Sequence, residues 1–232
     1  MQQRFEHKYL MSEHVAAVLK QRAKLIMQPD PNANGPYIVN NLYLDDRYDN
    51  FYYHKVHGRV KRDKFRLRHY NGDCSFIRLE RKHRDGNLIY KDTMQISHEQ
   101  YNKIKEGDLK FILQEEAPLW QMLGILYRLR GLRPTALFEY RREAFVYAPG
   151  NVRFTFDSPP FNSGSEAKGY DPLSIAYGKE EYSPLLLEVK YTDFLPDVIK
   201  GLLNGLPLTH TSMSKYCLVR ERGYLTHARA ND

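Results

Sequence analysis

The chain has 232 residues, enough for one large domain or two small ones, and 42% of them are hydrophobic. With 27% charged residues, this composition is that of an ordinary globular protein and excludes a largely disordered chain. The 35 Lys and Arg residues outnumber the 28 Asp and Glu residues, and the formal charge of +7 favours an anionic partner such as a nucleic acid, a lipid head group or a phosphate.

The predicted elements alternate between strands and helices, and their patterns place strands along most of the chain. In chain order, the sequence predicts a strand at 3–11, a helix capped by Ser12 and stopped by Pro29, a loop at 29–36, a strand at 37–45, a turn or short helix at 45–53, strands at 64–70, 74–84 and 88–96, helices between 97 and 130 divided by Pro118, strands at 135–147, 152–157 and 185–191, and a helix at 193–206.

Turn residues connect several of these strands into hairpins. Asn71-Gly72 closes one hairpin and Asp85-Gly86-Asn87 the next, so residues 64–96 are expected to form an antiparallel meander. The polar segment Ser158 to Pro184 is interpreted as a loop excursion, and Ser212 to Arg222 is compatible with either a strand or a helix. The predicted fold class is α+β: one domain over residues 1–232, with an antiparallel sheet of roughly seven or eight strands, alternation compatible with a closed barrel, and helices outside.

Cysteine and histidine residues give no sign of a structural metal or a disulfide framework. Cys74 and Cys217 are too few for either, and the nine His residues show no zinc-binding spacing on a helix. Met1 leads directly into a charged segment, and no apolar run reaches the length of a transmembrane helix. The sequence therefore predicts a cytoplasmic protein without a transmembrane segment, and it leaves a membrane-bound partner and the oligomeric state open.

Charged side chains recur two residues apart along several predicted strands. Residues i and i+2 of a strand point to the same face, so each such strand carries charges on one side and apolar residues on the other. The cations in phase with one another are Lys8, Arg66, Arg68, Lys82, Arg142, Arg153, Lys190 and Lys215, and the carboxylates among them are mainly Glu6, Glu80 and Glu188. The residues expected on the buried face are Phe5, Tyr9, Phe65, Leu67, Ile77, Leu79, Leu187 and Val189.

Two interpretations of this charged face compete. A solvated face of an antiparallel sheet normally carries Lys and Arg, but it usually mixes both signs of charge. Two cations about 6 Å apart at an effective dielectric constant near 20 repel by about 3 kcal/mol before screening, so crowding of this kind favours a bound anion. The basic run Lys61, Arg62 and Lys64 is most simply a solvated loop, although it could also guide a polyanion into a site.

Eight short segments, taken together and in order, carry a resemblance to a known family. The segments are Arg4 to Tyr9, Leu42 to Asp45, Phe65 to Arg68, Leu79 to Lys82, Tyr140 to Arg142, Arg153 to Asp157, Leu187 to Tyr191 and Ser214 to Tyr216. They resemble the catalytic domain of the vacuolar transporter chaperone complex, which is the polyphosphate polymerase domain of the triphosphate tunnel metalloenzyme superfamily. The resemblance runs from about residue 3 to residue 222.

The resemblance implies an antiparallel β-barrel enclosing a tunnel, in which the terminal phosphate of ATP passes to a growing inorganic polyphosphate chain with the help of a divalent ion, Mn²⁺ or Mg²⁺. It implies that Glu188 binds the metal. The catalytic cations that it implies are Lys8, Arg66, Arg68, Lys82, Arg142, Arg153 and Lys215. Tyr140, Ser214, Lys190 and Lys91 are implied as further substrate-binding residues.

The sequence departs from the superfamily pattern at two positions, and these departures indicate which activity is favoured. The first strand of triphosphate hydrolases reads Glu-x-Glu-x-Lys, but Arg4 stands at the position of the first Glu, and Lys190 follows Glu188 where a second Glu would stand. Fewer carboxylates to hold metals and activate water favour phosphate transfer over hydrolysis. A non-catalytic polyphosphate-binding or triphosphate-binding domain is the alternative, since a fold does not fix a function.

A nucleic-acid-binding module is the third hypothesis. The 18 Tyr residues beside many cations would suit single-strand binding, because bases stack on aromatic rings above a cationic groove. However, Tyr9, Tyr43, Tyr90 and Tyr191 lie within predicted strands, where aromatic side chains more often fill a core. The expected partners are therefore ATP and inorganic polyphosphate, and no nucleic acid.

Overall fold

The computed structural model of the chain describes residues 4–161 and 184–221. Strands and helices alternate through this part of the chain. The strands are β1 (Arg4–Met11), β2 (Gln28–Pro29), β3 (Tyr37–Asp45), β4 (Lys61–Tyr70), β5 (Asp73–Asp85), β6 (Leu88–Ile96), β7 (Arg133–Tyr147), β8 (Val152–Asp157), β9 (Leu185–Thr192) and β10 (Thr209–His210).

The helices lie between these strands. They are α1 (Glu13–Lys24), α2 (Asn50–Val56), α3 (His98–Lys105), α4 (Pro118–Arg130), α5 (Asp197–Leu203) and α6 (residues 215–221), with 3₁₀ turns at Lys110–Gln114 and Pro149–Asn151. No helix in the described ranges is both long enough and apolar enough to cross a membrane.

The described residues divide into two compact units, and each has its own group of paired strands and its own hydrophobic core. Unit 1 comprises residues 4–38, 140–160 and 184–213, and unit 2 comprises residues 39–139, 161 and 214–221. The strand β7 runs through both, because residue 139 belongs to unit 2 and residue 140 to unit 1. The single domain over residues 1–232 stays a prediction.

Unit 1 is built on an antiparallel sheet in the order β10, β1, β9, β8 and β7, with β2 paired to β7. The apolar side chains of these strands pack on helices α1 and α5. Leu187 and Val189 of β9 are fully buried in this core, as the alternation predicted, and they meet Leu19 of α1 and Ile199 of α5 in the same cluster. The charged residues of β1 and β9 consequently lie on the opposite face.

Unit 2 is built on the antiparallel meander β3, β4, β5 and β6, with helices α3 and α4 on its apolar face. Phe65, Leu67, Ile77 and Leu79 are fully buried in its core beside Trp120, as predicted. Burying one such side chain contributes about 1.5–3 kcal/mol, so this cluster fixes the register of the meander and keeps its charged face turned away from the core.

Local signals in the sequence account for several element boundaries. The Ser12 hydroxyl accepts a hydrogen bond from the Val15 amide at the start of α1, and Ser97 forms a reciprocal capping box with Gln100 at the start of α3. Asn71 and Gly72 both have positive φ angles, which the tight turn between β4 and β5 requires. The predicted meander over residues 64–96 is therefore confirmed.

Some predicted boundaries are wrong, and the chain geometry explains them. The last long helix was expected from Asp193 but begins at Asp197, because Asp193 is in the left-handed region and the extended Pro196 precedes the first helical turn. Residues 215–221 form a helix, which resolves the ambiguity left by the sequence. Most of the expected loop excursion at 158–184 lies outside the described residues.

Candidate functional site

One face of the meander in unit 2 carries a strong excess of positive charge. The pairing of β4 with β5 and of β5 with β6 places alternate residues of the three strands on this face, here called the basic face. Its cations are Arg62, Lys64, Arg66, Arg68, Arg78, Lys82, Arg84 and Lys91. Glu80 is the carboxylate that these three strands place among them.

Glu80 is the centre of an ion cluster on the basic face. Its Oε2 accepts a hydrogen bond from Nε of Arg66 at 2.7 Å and lies 2.6 Å from Nη2 of the same arginine, and its Oε1 accepts from Nζ of Lys91 at 2.9 Å. Nη1 of Arg68 is 3.9 Å from the same carboxylate. Burial alone would raise the pKa of Glu80, but Arg66, Arg68 and Lys91 lower it to about 2. Glu80 therefore stays ionised and holds Arg66 in one orientation.

A tyrosine fixes the other end of the same guanidinium group. Nη1 of Arg66 donates to the Tyr43 hydroxyl at 3.2 Å, and the Tyr43 ring is stacked between Phe138 and Tyr216 with centroid distances of 5.6 and 4.6 Å. Burial opposes ionisation of this phenol, but the charges of Arg66, Lys64 and Arg68 lower the pKa of Tyr43 to about 8. The shift shows how strong the positive potential is at this face.

The start of α6 is tied to the meander through Tyr216. The Tyr216 hydroxyl donates to Oδ2 of Asp45 at 2.7 Å, and the Asp45 carboxylate also accepts from the backbone amides of Phe51 and Tyr52 at the start of α2. This buried network places Ser214 beside the basic face, where Nζ of Lys64 donates to the Ser214 hydroxyl at 2.8 Å. Lys215 is the next residue, at the first position of α6.

Three lysines form a row across the meander. Lys64 of β4 is directly opposite Lys82 of β5, and Lys82 is directly opposite Lys91 of β6. Directly opposed like charges destabilise a sheet unless another group offsets them. Of the three, Lys64 was absent from the sequence-predicted site, although its i+2 spacing to Arg66 is the signal that finds it.

Unit 1 holds a second cluster, in which the charges are closely paired. Lys8 of β1 lies opposite Glu188 of β9, and Glu6 lies opposite Lys190. Nζ of Lys8 is 3.4 Å from Oε1 of Glu188 and 3.3 Å from Oε1 of Glu6, while Nζ of Lys190 donates to Oε2 of Glu188 at 3.0 Å. Burial by itself would lower the pKa of Lys8, but Glu188 and Glu6 raise it above its ordinary value. Lys8 therefore remains charged.

The two arginines of this cluster, Arg142 and Arg153, each have a carboxylate partner of their own. Arg142 donates from Nε and Nη2 to the two oxygens of buried Asp157, at 2.6 and 2.7 Å, and its Nη2 is 3.8 Å from Glu188. Nη2 of Arg153 lies 2.5 Å from Oδ2 of buried Asp30. The guanidinium of Arg142 also lies 5.2 Å from the centre of the Tyr140 ring. Burial opposes the charge of Arg142, but Tyr140, Asp157 and Glu188 raise its pKa well above the ordinary value.

The structure thus assigns the charge imbalance inferred from the sequence to unit 2. In unit 1, the cations Lys8, Arg142, Arg153 and Lys190 are matched by the carboxylates Glu6, Asp30, Asp157 and Glu188. The sequence pattern does not identify Asp30 and Asp157 as partners of these arginines. Asp30 lies in a predicted loop, and its contact with a strand residue more than a hundred positions away leaves no local signal.

The sequence-predicted site residues fall into the two clusters. Unit 1 brings together Lys8, Tyr140, Arg142, Arg153, Glu188 and Lys190. Unit 2 contains Arg66, Arg68, Lys82, Lys91, Ser214 and Lys215. Their roles in substrate or metal binding stay predictions. Tyr43 and Lys64 are added to the site by the structure. Glu80, which the sequence places among the cations, is shown by contacts across strands to orient Arg66.

The side chains around Glu188 determine whether this carboxylate suits a divalent metal ion. Within residues 4–161 and 184–221, no group of three or more His, Cys, Asp or Glu side chains is placed to hold a metal ion. Mg²⁺ is commonly bound by one or two carboxylates together with phosphate oxygens from the substrate. Glu188, with Glu6 sharing its two lysine partners, fits that mode of binding.

Comparisons with known proteins agree with this architecture. The sequence matches the family model of the VTC domain over residues 3–222. No curated protein matches the sequence.

Among solved structures, the chain is similar to the candidate adenylate cyclase bh2851 of Bacillus halodurans, with a TM-score of 0.50 and 11% identity over 87% of this chain and 86% of that chain. Two others are the PH1819 protein of Pyrococcus horikoshii OT3 (TM-score 0.48, 14% identity, 94% and 99% covered) and a candidate adenylate cyclase of Vibrio parahaemolyticus (0.49, 13%, 94% and 98%). The predicted α+β fold class, an antiparallel sheet with helices outside it, is confirmed. The predicted β-barrel is found only in part, because the sheet of the described residues is barrel-like but not closed.

Proposed function

Because the chain belongs to the VTC domain family, we propose that it is a polyphosphate polymerase, which transfers the terminal phosphate of ATP to a growing inorganic polyphosphate chain. The observation that carries the proposal is the basic face of unit 2, where eight cations accompany one carboxylate. Both substrates are linear phosphate chains, and such a face offsets their charge. A cytoplasmic location belongs to the same proposal, since ATP is available there.

The side chains of the basic face suit the demands of phosphate transfer. The reaction passes through a loose transition state and needs alignment of the attacking and leaving oxygens and neutralisation of their charge. Arg66 meets the first need, because Glu80 and Tyr43 fix the plane of its guanidinium before a substrate arrives. Lys64, Lys82 and Lys91 supply compact charges for the second.

No protein nucleophile enters the proposed reaction. The attacking group is an oxygen of the terminal phosphate of the polymer, which is already ionised, and the bond that breaks joins the β,γ-bridging oxygen to the γ-phosphorus of ATP. ADP leaves, and the polymer gains one phosphate. A divalent ion held by Glu188 would draw negative charge away from the phosphate oxygens. Lys8 and Lys190, which contact the same carboxylate, would keep it ionised and oriented.

A second candidate, binding without turnover, is favoured by one specific observation. The Glu188 carboxylate already contacts Lys8 at 3.4 Å, Lys190 at 3.0 Å and Arg142 at 3.8 Å, and these cations compete with a divalent ion for its oxygens. A polyphosphate sensor would need the basic face but no metal. Hydrolysis of triphosphates is less favoured, because Arg4 and Lys190 replace carboxylates of the hydrolase pattern.

The test is incubation of the protein with ATP and Mn²⁺, followed by a gel stained for polyphosphate and a parallel assay for free phosphate. Polymer with little free phosphate is expected. Free phosphate alone would instead support a hydrolase. If neither product forms and tripolyphosphate still binds, the protein is a binding domain and the polymerase proposal is wrong.

A further inference from the structure

Two arginines stand directly opposite each other at the outer end of the basic face. Arg62 of β4 is the cross-strand partner of Arg84 of β5, one row beyond the pair Lys64 and Lys82. Like charges placed opposite each other destabilise a sheet. Burial and the charge of Arg84 together lower the pKa of Arg62. Another group is therefore expected to offset the repulsion between these two arginines.

Backbone carbonyl groups, rather than carboxylates, hold both guanidinium groups. Nη1 of Arg62 donates to the carbonyl oxygen of Arg59 at 2.7 Å, and Nε of Arg84 donates to the carbonyl oxygen of Gly86 at 2.7 Å. Within the described part of the chain, neither arginine forms an ion pair with an acidic side chain. A guanidinium group has five N–H donors, and each bond to a backbone carbonyl orients the arginine with only one of them.

This pair continues the basic face along the strand direction. The rows follow one another as Arg62 with Arg84, then Lys64 with Lys82 and Lys91, then Arg66 with Glu80, then Arg68 with Arg78. Arg68 is six positions after Arg62 on β4, and six steps at the rise of a strand span about 20 Å. This length exceeds that of a triphosphate, so an anion that contacts all the rows must be a longer chain.

We propose that Arg62 and Arg84, one row beyond Lys64, form an outer subsite that binds the phosphates of a linear polyphosphate beyond the first three. The inference rests on the proposed use of the basic face for phosphate chains, but it does not require turnover. Its consequence is a dependence of affinity on chain length: long-chain polyphosphate binds more tightly than tripolyphosphate, and the difference comes from the outer row.

The test compares the binding of tripolyphosphate and of long-chain polyphosphate by isothermal titration calorimetry, at several salt concentrations, for the full chain and its variants. In the double variant Arg62→Gln/Arg84→Gln, affinity for the long chain is expected to fall about tenfold, as for the loss of two partly exposed charge-assisted contacts. Affinity for tripolyphosphate is expected to change less than twofold. The dependence of long-chain affinity on salt should become shallower, because fewer counterions are released.

A matched control separates the subsite from the total charge. Arg128 and Arg141 are exposed arginines outside the basic face, and Arg128→Gln/Arg141→Gln removes the same two charges. This control is expected to leave the ratio of the two affinities unchanged. Unchanged melting temperatures would show that both double variants remain folded.

Several results would overturn the inference. An equal loss for both anions in Arg62→Gln/Arg84→Gln would mean that the pair has only a general electrostatic effect. Unchanged affinities for both anions would mean that it binds nothing. Single-stranded RNA that binds as tightly as long-chain polyphosphate would overturn the assignment of the ligand. If the long chain binds as inferred but ATP is not turned over, the outer subsite stands and only the proposed polymerase activity fails.

Discussion

Replacement of Glu80 by Gln is the change that tests the organisation of the basic face most sharply. Glu80 is buried and ionised among Arg66, Arg68 and Lys91. The neighbouring cations lower its pKa from an ordinary value of 4.5 to about 2, which corresponds to a contribution on the order of 3 kcal/mol to the free energy of unfolding. Glu80→Gln should therefore lower the melting temperature at neutral pH by about 6–12 °C.

The contribution of Glu80 to the free energy of unfolding depends on pH, and the direction of its pKa shift determines how. Since the folded pKa of Glu80 lies below its ordinary value, the contribution is fully present above pH 4.5 and is lost as the pH falls toward 2. Denaturant unfolding of the wild type and the variant at a series of pH values would measure it. The difference between the two proteins is expected to be largest near pH 7 and to shrink below pH 4.5.

A surface carboxylate provides the control for this experiment. Glu99 is highly exposed and contacts Lys103 at 2.7 Å on the surface of α3, so Glu99→Gln should have little effect. Equal stability of Glu80→Gln and the wild type at neutral pH would refute the reasoning. So would a difference between them that stayed constant from pH 7 to pH 3.

Three other predictions concern the two clusters. Titration of the near-ultraviolet absorbance should show one phenol ionising near pH 8, and Tyr43→Phe should remove that transition. Bound tripolyphosphate should raise the pKa of Tyr43, because it offsets the charges of Arg66 and Lys64. An unmoved midpoint would contradict an anion at this face. Glu188→Gln should abolish metal-dependent turnover and retain tripolyphosphate binding in calorimetry, because the variant makes its cluster more positive; unchanged turnover would remove Glu188 from the metal site. Tyr216→Phe should lower the free energy of unfolding by about 1–3 kcal/mol, because Asp45 loses a buried donor, and an unaltered denaturation midpoint would contradict this role.

Much of the fold follows from local signals in the sequence. Alternation of apolar and charged residues on β4 and β5, the turn at Asn71-Gly72 and the cap at Ser97 each depend on residues close together in the chain. Such signals identify strands, turns and helix starts because the physical interactions themselves are local. The predicted phases of Arg66, Arg68 and the residues of their strand partners agree with the observed register for the same reason.

The candidate site is predicted less completely, because its chemistry depends on contacts between distant residues. The sequence alternation identifies Arg142 and Arg153 as cations in phase, but only the folded chain shows that Asp157 and Asp30 neutralise them. The same holds for Tyr43, whose altered acidity arises from cations of a neighbouring strand. The sequence therefore indicated a basic face correctly, and the structure was needed to assign the excess charge to unit 2.

Phosphorus NMR of the protein with ATP and Mg²⁺, which does not broaden phosphorus signals as Mn²⁺ does, tests the central claim most directly, because it follows ATP, ADP, free phosphate and polymer in one sample. Most of the phosphate lost from ATP is expected in the internal positions of a polymer, with ADP formed in equal amount. A variant with Arg66 and Arg68 replaced by Gln should give no polymer. Release of the phosphate as the free ion, or unchanged ATP together with a failure to bind tripolyphosphate, would contradict a basic face that serves phosphate transfer.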